Sequence, residues 1–417
     1  MVAPQLTNES LVRVSGSLTT STETACEVST LCVSELTVLS QAKAGSSISN
    51  SFRSLHGGPK GEDDEQKPNQ LGCHQIDQRL DERVLDVRVA STAAIFKVFS
   101  GVNELAVEFL AMRDFYRIAT PSLISYEYPG EEDDHFAVPY FDKTAWLAPT
   151  GEVHLGMALA ADLERVYDIH NVFRQERDVD GRHLTEFTML ELVFALDQGW
   201  EEILNLAIDL LIFLIQSLQE RTKYAQLAPA VQRLHPSSGP FKLGLVQGKL
   251  LRITFREAKT ILRTSLDMQS SFEDDFTPEE EAALGRFLSS DESHLGPPTD
   301  IFAVTHFPKH LRSCNVYPSE DGSSTNSFDI IMRGQEVSTG YQLLNSHEQL
   351  RTAFATRAHP IDPDSPGWRP FVAAHEFGMP PWGGFGMGLN RFVQVFLGLN
   401  DIREATLFPR NSARLTP

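Results

Sequence analysis

The chain reads as an α+β protein, an antiparallel sheet with helices on one side. Two observations predict this. Strand-like stretches recur along the sequence, and helical pieces fall in long insertions between them. Neither a GxxxxGKS/T loop nor a strand followed by GxGxxG and a crossover helix occurs, so a doubly wound nucleotide fold is not expected.

In chain order, residues 9–40 alternate in places (LVRVSGSL, LCVSELTVLS) and predict two or three short strands. Residues 41–75 are rich in Ser, Gly, Asp, Glu, Lys and Gln without an apolar period and read as a disordered linker, with order resuming near Arg79. From Ser91 to Met112 the spacing of Ile95, Phe96, Val98, Phe99, Val102, Leu105, Ala106, Phe109 and Leu110 is helical, and the helix is expected to serve the core. Strands are expected at Thr120–Ile124, at AWLAP and at RVYDIHNVF, and the run Ile203–Leu218 lies in a buried helix over 200–222. Helical pieces follow at Thr254–Arg263, Pro278–Leu288 and Glu348–Arg357, with strands at Thr299–Val304 and Ser327–Met332. A Gly-rich strand, Gly383–Gly388, feeds a helix at about Leu389–Leu397.

The length of 417 residues allows one large catalytic domain, 76–417, besides the smaller N-terminal piece, 1–40, and its linker, 41–75. A hydrophobic content of 41% suits a globular chain, and the net charge of −20 argues against salt-driven binding of nucleic acid over the whole surface while allowing a local basic groove. Cys26, Cys32, Cys73 and Cys314 lack metal-like spacing and read as reduced thiols of a cytoplasmic protein. The N-terminus shows no secretory signal, and Ile203–Leu218, interrupted by Asn205, Asp209 and Gln216, is too short for a bilayer span, so no membrane partner is expected.

The chemistry is concentrated in two segments. FRQERDVDGRHLTEF, Phe173–Phe187, reads as two strands joined by a charged loop; its arginines suit a polyphosphate and its returning aromatic suits a base. A solvated hairpin with surface ion pairs is the competing reading. PPWGGFGMGLNRF, Pro380–Phe392, places Gly383, Gly384, Gly386 and Gly388 where a ligand or backbone can approach a strand closely, with Arg391 opening the next helix.

Together with FYRIATPSLI, these segments resemble, in order, the three signatures of class II aminoacyl-tRNA synthetases, specifically the aspartyl/asparaginyl subgroup in its eukaryotic cytosolic form. The resemblance covers about Gln75–Pro417 and includes the ending LGLNDIREATLFPRNSARLTP. It implies ATP and Mg²⁺ as cofactors, an amino acid or related carboxylic acid as substrate, a tRNA or small-molecule acceptor, and a homodimer with Pro121 at its interface. Arg174 would hold the α-phosphate and Arg391 the γ-phosphate as the catalytic cations. His183 would lie near the terminal phosphates, Phe187 would stack on adenine and Glu176 would contact the adenine end. NSFDIIMRGQEVSTG resembles the family's magnesium segment and implies Asp329 and Glu336 as metal carboxylates.

The amino-acid half departs from the family. PTGEVHL, Pro149–Leu155, stands where aspartyl enzymes have QSPQxxK, so Leu155 replaces a lysine; Leu343, in GYQL, replaces an arginine. An aspartate side chain would then be buried without a cation. Glu191 stands at a family Asp or Glu, Trp382 at a histidine, Phe385 at a glycine and Asn390 at an acidic residue. Thr150 and Glu152 resemble the threonine–glutamate pair that grips the α-ammonium in seryl- and threonyl-type enzymes. The mobile loop of the family corresponds to the longer, acidic YPGEEDDH, Tyr128–His135. The segment Glu9–Ala42 resembles only the second half of the family's anticodon-reading OB-fold, and residues 1–50 contain no Phe, Tyr or Trp.

Three functions are therefore expected, in this order: an ATP-dependent ligase, a paralogue that has left general translation, that activates an amino acid other than aspartate or a similar carboxylic acid and passes it to a tRNA or to a small molecule, as in specialised metabolism; an ordinary or resistance-copy aspartate–tRNA ligase with a truncated N-terminus; and a non-catalytic regulatory protein on the same scaffold.

Overall fold

The computed structural model describes residues 7, 10–24, 26–43, 73–126, 135–232, 235 and 239–416. Most of the expected linker, 44–72, and all but the last residue of the acidic loop Tyr128–His135 lie outside them. The chain forms two compact units, Met1–Asp86 and Val87–Pro417.

In the first unit the alternating segment forms two long strands, β1 (Leu11–Thr24) and β2 (Cys26–Ser40), paired as one antiparallel hairpin. Val12, Val14 and Leu18 face Val38, Leu36 and Leu31 across it. A helix, Cys73–Asp81, starts before Arg79, and Arg79 and Arg83 both pair with the buried Asp86, at 3.1 and 2.6 Å.

The second unit is built on β3 (Tyr116–Arg117), β4 (Leu123–Ile124), β5 (Ala137–Tyr140), β6 (Lys143–Leu147), β7 (Arg165–Phe173), β8 (Glu186–Ala195), β9 (Arg252–Thr254), β10 (Ile301–Thr305), β11 (Ser327–Met332), β12 (Gln335–Leu343) and β13 (Trp382–Gly388). The main sheet has eight strands in the order β3-β7-β8-β13-β12-β11-β10-β9, and β4-β6-β5 forms a separate small sheet. The six strands from β7 to β10 are antiparallel neighbours, as expected; the edge strands β3 and β9 add in parallel. These edges are two or three residues long, too short to show a period in sequence.

Helices cover both faces rather than one. On one face the helices Ala90–Ala111, Glu201–Glu220 and Leu389–Leu397 pack on alternate residues of the sheet, among them Leu190, Leu192, Phe194, Phe385 and Met387, in the largest apolar cluster. The period of Ala90–Ala111 explains its fit: Ile95, Val98, Val102, Leu105, Ala106 and Phe109 recur at helical spacing and are all buried. The other face carries two smaller clusters. One joins Val166, Val193, Leu343 and Trp382 to the helices Glu152–Ala160 and Arg369–Ala374; the other joins Phe302, Val304 and Ile331 to Phe255–Thr264 and Pro278–Leu288. Both of the latter helices begin with a capping box, Thr254–Glu257 and Thr277–Glu280, which satisfies their first amides.

The helix Glu152–Ala160 lies in a stretch with no expected element. It is nine residues of mostly apolar sequence, for which periodicity does not separate helix from strand.

Candidate active site

The site grows from the register of the sheet. Side chains of a strand alternate between faces, so residues paired across strands form rows on one face. One row runs Asp168, Glu191, Gly386, Thr339, Asp329, and the next runs Val166, Val193, Gly384, Tyr341, Ser327. Glycine at 384 and 386 leaves the middle of both rows without a side chain. A Cβ on Gly384 would lie 1.9 Å from the Leu192 carbonyl oxygen, and one on Gly386 would lie 2.6 Å from Cε of Met189. Above this floor is a cavity of about 430 Å³.

Its two ends differ in chemistry. At one end lie Arg174, Glu176, Arg182, His183, Phe187 and Arg391, brought together by the β7–β8 loop and the start of the helix Leu389–Leu397. The Arg174 guanidinium stands 5.6 Å from the centre of the Phe187 ring. Arg391 donates to the carbonyl oxygens of Glu336 and Arg182, at 3.1 and 2.9 Å, which ties the hairpin to β12. Arg182 pairs with Glu281, whose carboxyl is pushed up to about 7 by burial, against the opposing charge of Arg182. His183 Nδ1 is 2.8 Å from Asp180 Oδ2.

At the other end lie Thr150, Glu152, Leu155, Glu191, Val193, Tyr341 and Leu343. Glu191 is held by the Thr150 hydroxyl at 2.5 Å, the Gly151 amide at 2.6 Å and His170 Nε2 at 2.6 Å. The first two of these fix the start of the helix Glu152–Ala160 against β8. Glu152 accepts from the Tyr341 hydroxyl at 2.5 Å, and burial raises that phenol well above its ordinary range. Behind Glu191 the network continues: Thr120 Oγ1 is 3.1 Å from His170 Nδ1 and donates to Asp168 at 2.9 Å. Burial alone would lower the His170 pKa, but the hydrogen bond and charge of Glu191, with Asp168, outweigh it and raise it.

Of the site residues singled out from sequence, Gly383, Asp329 and Trp382 do not line the cavity. Asp329 sits one strand beyond it, buried and 2.7 Å from Arg312. The Thr339 hydroxyl is 2.9 Å from Asp329 Oδ1 and 2.7 Å from Glu336 Oε1, so the two carboxylates converge on one point. Trp382 is fully buried, donates to the Leu344 carbonyl and packs on Phe371 and Gly156. Phe385 borders the cavity but alternates onto the opposite face, with Leu192 and Met387 in the largest cluster. Asn390, unexplained from sequence, is a structural link between segments. It accepts from the Thr188 amide at 2.8 Å and donates to the Thr406 hydroxyl at 2.9 Å.

His170, Tyr341, Ser338 and Arg312 were not singled out from sequence. His170 had one available signal, its place on the same face of RVYDIHNVF as Asp168. Among the described residues, no group of three or more His, Cys, Asp and Glu side chains could hold a metal ion, and no helix is long and apolar enough to cross a membrane.

Residues 75–412 match the family described as "tRNA synthetases class II (D, K and N)". The chain belongs to that family. Among curated relatives it is similar to the cytoplasmic aspartate–tRNA ligase of Caenorhabditis elegans, 33% identical over 353 residues that make up 84% of this chain and 63% of the relative. The human cytoplasmic aspartate–tRNA ligase is 33% identical over 342 residues, 82% of this chain and 65% of the relative. The matched region thus spans less than two thirds of the length of either. Among solved structures, a putative aspartyl-tRNA synthetase from Leishmania major Friedlin superposes with a TM-score of 0.81 at 27% identity, covering 99% of this chain and 82% of that one. The asparaginyl-tRNA synthetase of Pyrococcus horikoshii complexed with asparaginyl-adenylate gives 0.77 at 26% identity, covering 99% and 85%.

Proposed function

We propose that the chain is an ATP-dependent ligase that activates an amino acid other than aspartate as its aminoacyl-adenylate and passes the acyl group to an acceptor. The observation that carries this reading is the cavity itself, with three arginines, a histidine and an aromatic at one end and two carboxylates at the other. A solved relative carries an asparaginyl-adenylate, which has the two halves such a cavity requires.

In this reading Arg174 holds the α-phosphate, Arg391 and His183 hold the terminal phosphates, Phe187 stacks on adenine and Glu176 contacts its edge. Glu152, beside Thr150, receives the α-ammonium. An oxygen of the substrate carboxylate then attacks the α-phosphorus, the bond to the bridging oxygen breaks, and pyrophosphate leaves with the electron pair. Fixed cations neutralise the charge that develops, and no protein nucleophile is required. Asp329 and Glu336 would hold Mg²⁺, because their oxygens converge near Thr339 and this ion needs only one or two carboxylates when phosphates complete its shell. Bound there, it would neutralise phosphate charge.

The resemblance to aspartate–tRNA ligases favours a tRNA as acceptor over a small molecule, and a cytoplasmic setting. A homodimer through the segment around Pro121 fits the exposure of Tyr116 and Leu123 beside it. The third expectation, a non-catalytic scaffold, is disfavoured because the cationic end is complete. Exchange of labelled pyrophosphate into ATP tests the reading: it should depend on an added amino acid and fall to background in R391A. Amino-acid-dependent exchange of equal rate in R391A would remove it.

A further inference from the structure

Three facts bear on what the side-chain end of the cavity accepts. First, among the described residues the cations that line the cavity, Arg174, Arg182, His183 and Arg391, all belong to the opposite end. Among the described residues, a carboxylate side chain placed among Glu152, Glu191, Leu155 and Leu343 would meet like charge, and the cation beyond Tyr341, Arg312, is already paired with Asp329. Second, Leu155, Val193 and Leu343 line this end and continue outward into a cluster with Trp382 and Phe371, so its wall is apolar several side chains deep. Third, the hydroxyl donors at this end are engaged. The Thr150 hydroxyl donates to Glu191, the Tyr341 hydroxyl to Glu152 and the Ser338 hydroxyl to the Gly386 carbonyl. Glu191 already has donors from Thr150, Gly151 and His170, the last reaching it from β7 on the same face of the sheet. The carbonyl oxygen of an amide side chain would find the Thr150, Tyr341 and Ser338 hydroxyls already engaged, and a cationic side chain would have to compete with His170 for Glu191.

We infer that this end selects an α-amino acid with an uncharged, apolar side chain, with Leu155, Val193 and Leu343 as the specificity-determining contacts. The inference rests on the adenylation reading above and names its substrate class. His170 acts through Glu191 and is a positioning residue.

The test is pyrophosphate exchange by the full chain with ATP, Mg²⁺ and each of the twenty amino acids in turn. One of valine, isoleucine, leucine, methionine or phenylalanine should exceed aspartate, asparagine and lysine in kcat/KM by about 100-fold, the scale on which a site discriminates against a group it leaves unpaired. Best exchange with aspartate, asparagine or lysine would overturn the inference and leave the adenylation reading standing. No exchange with any amino acid would remove both. A second variant reads the wall directly: Leu343→Ala should shift the preference toward a larger apolar side chain by about tenfold. A Leu343→Ala protein that melts cooperatively and keeps the wild-type ranking would also overturn it.

Discussion

Glu191 keeps its place because a hydroxyl, an amide and an imidazole reach it together. His170 is the one titratable donor among them, and its pKa is raised in the folded chain above the ordinary 6.5. The linkage follows in sign: the unfolded chain binds this proton less tightly, so the pair adds stability that is fully present below about pH 6.5 and is lost as pH rises through the folded value. The gap in melting temperature between wild type and His170→Ala should therefore be largest near pH 6 and shrink toward alkaline pH. A gap that grows with pH would contradict the pairing. The loss at low pH should be about 1–3 kcal/mol, the cost of leaving Glu191 short of a charged donor. At the cationic end, Arg174→Ala should lower pyrophosphate exchange about 10²–10³-fold with little change in melting temperature, since a group that meets developing charge contributes on that scale. An unchanged rate would mean that Arg174 does not meet the reacting phosphate.

Among the elements, β13 is the one whose sequence is dictated by close approach. Gly384→Ala would push a methyl into the Leu192 carbonyl of the neighbouring strand, whereas Gly386→Ala meets the flexible end of Met189. The first should cost about 3 kcal/mol in denaturant unfolding, as overpacking against backbone does, and the second should cost less but reduce the space over the floor. Equal stability of the two variants would contradict the strand register. Elements with a strong period, such as Ala90–Ala111, Pro278–Leu288 and Leu389–Leu397, are legible in sequence within a residue or two because one face of each is core. The strand β12 carries Glu336, Thr339, Tyr341 and Leu343 yet does not alternate cleanly in sequence, because it is buried on both faces and bulged where Ile331 meets Glu336. The helix Glu152–Ala160 is held by tertiary contacts at its first turn, which no local pattern announces.

For the whole molecule, the cationic end of the cavity was legible because its residues lie in two short segments, the charged hairpin and the start of the last long helix. The other end was legible only in what it lacks, at Leu155 and Leu343. Its working contacts join residues far apart in the chain, such as Glu152 with Tyr341 and Thr150 with Glu191, and these partners become visible only once the strand order is known. The site lies wholly within Val87–Pro417. A chain shortened to residues 76–417 should therefore keep exchange within about threefold of the full chain, a shift of less than 1 kcal/mol, and a loss of more than tenfold would show that the first unit serves the chemistry.

The most direct measurement is mass spectrometry of the nucleotide left on the protein after incubation with ATP, Mg²⁺, pyrophosphatase and a mixture of amino acids. The account predicts an aminoacyl-adenylate whose acyl mass is that of an apolar amino acid, absent when Arg174 is replaced by alanine. Recovery of unreacted ATP alone, or of aspartyl-adenylate, would contradict it.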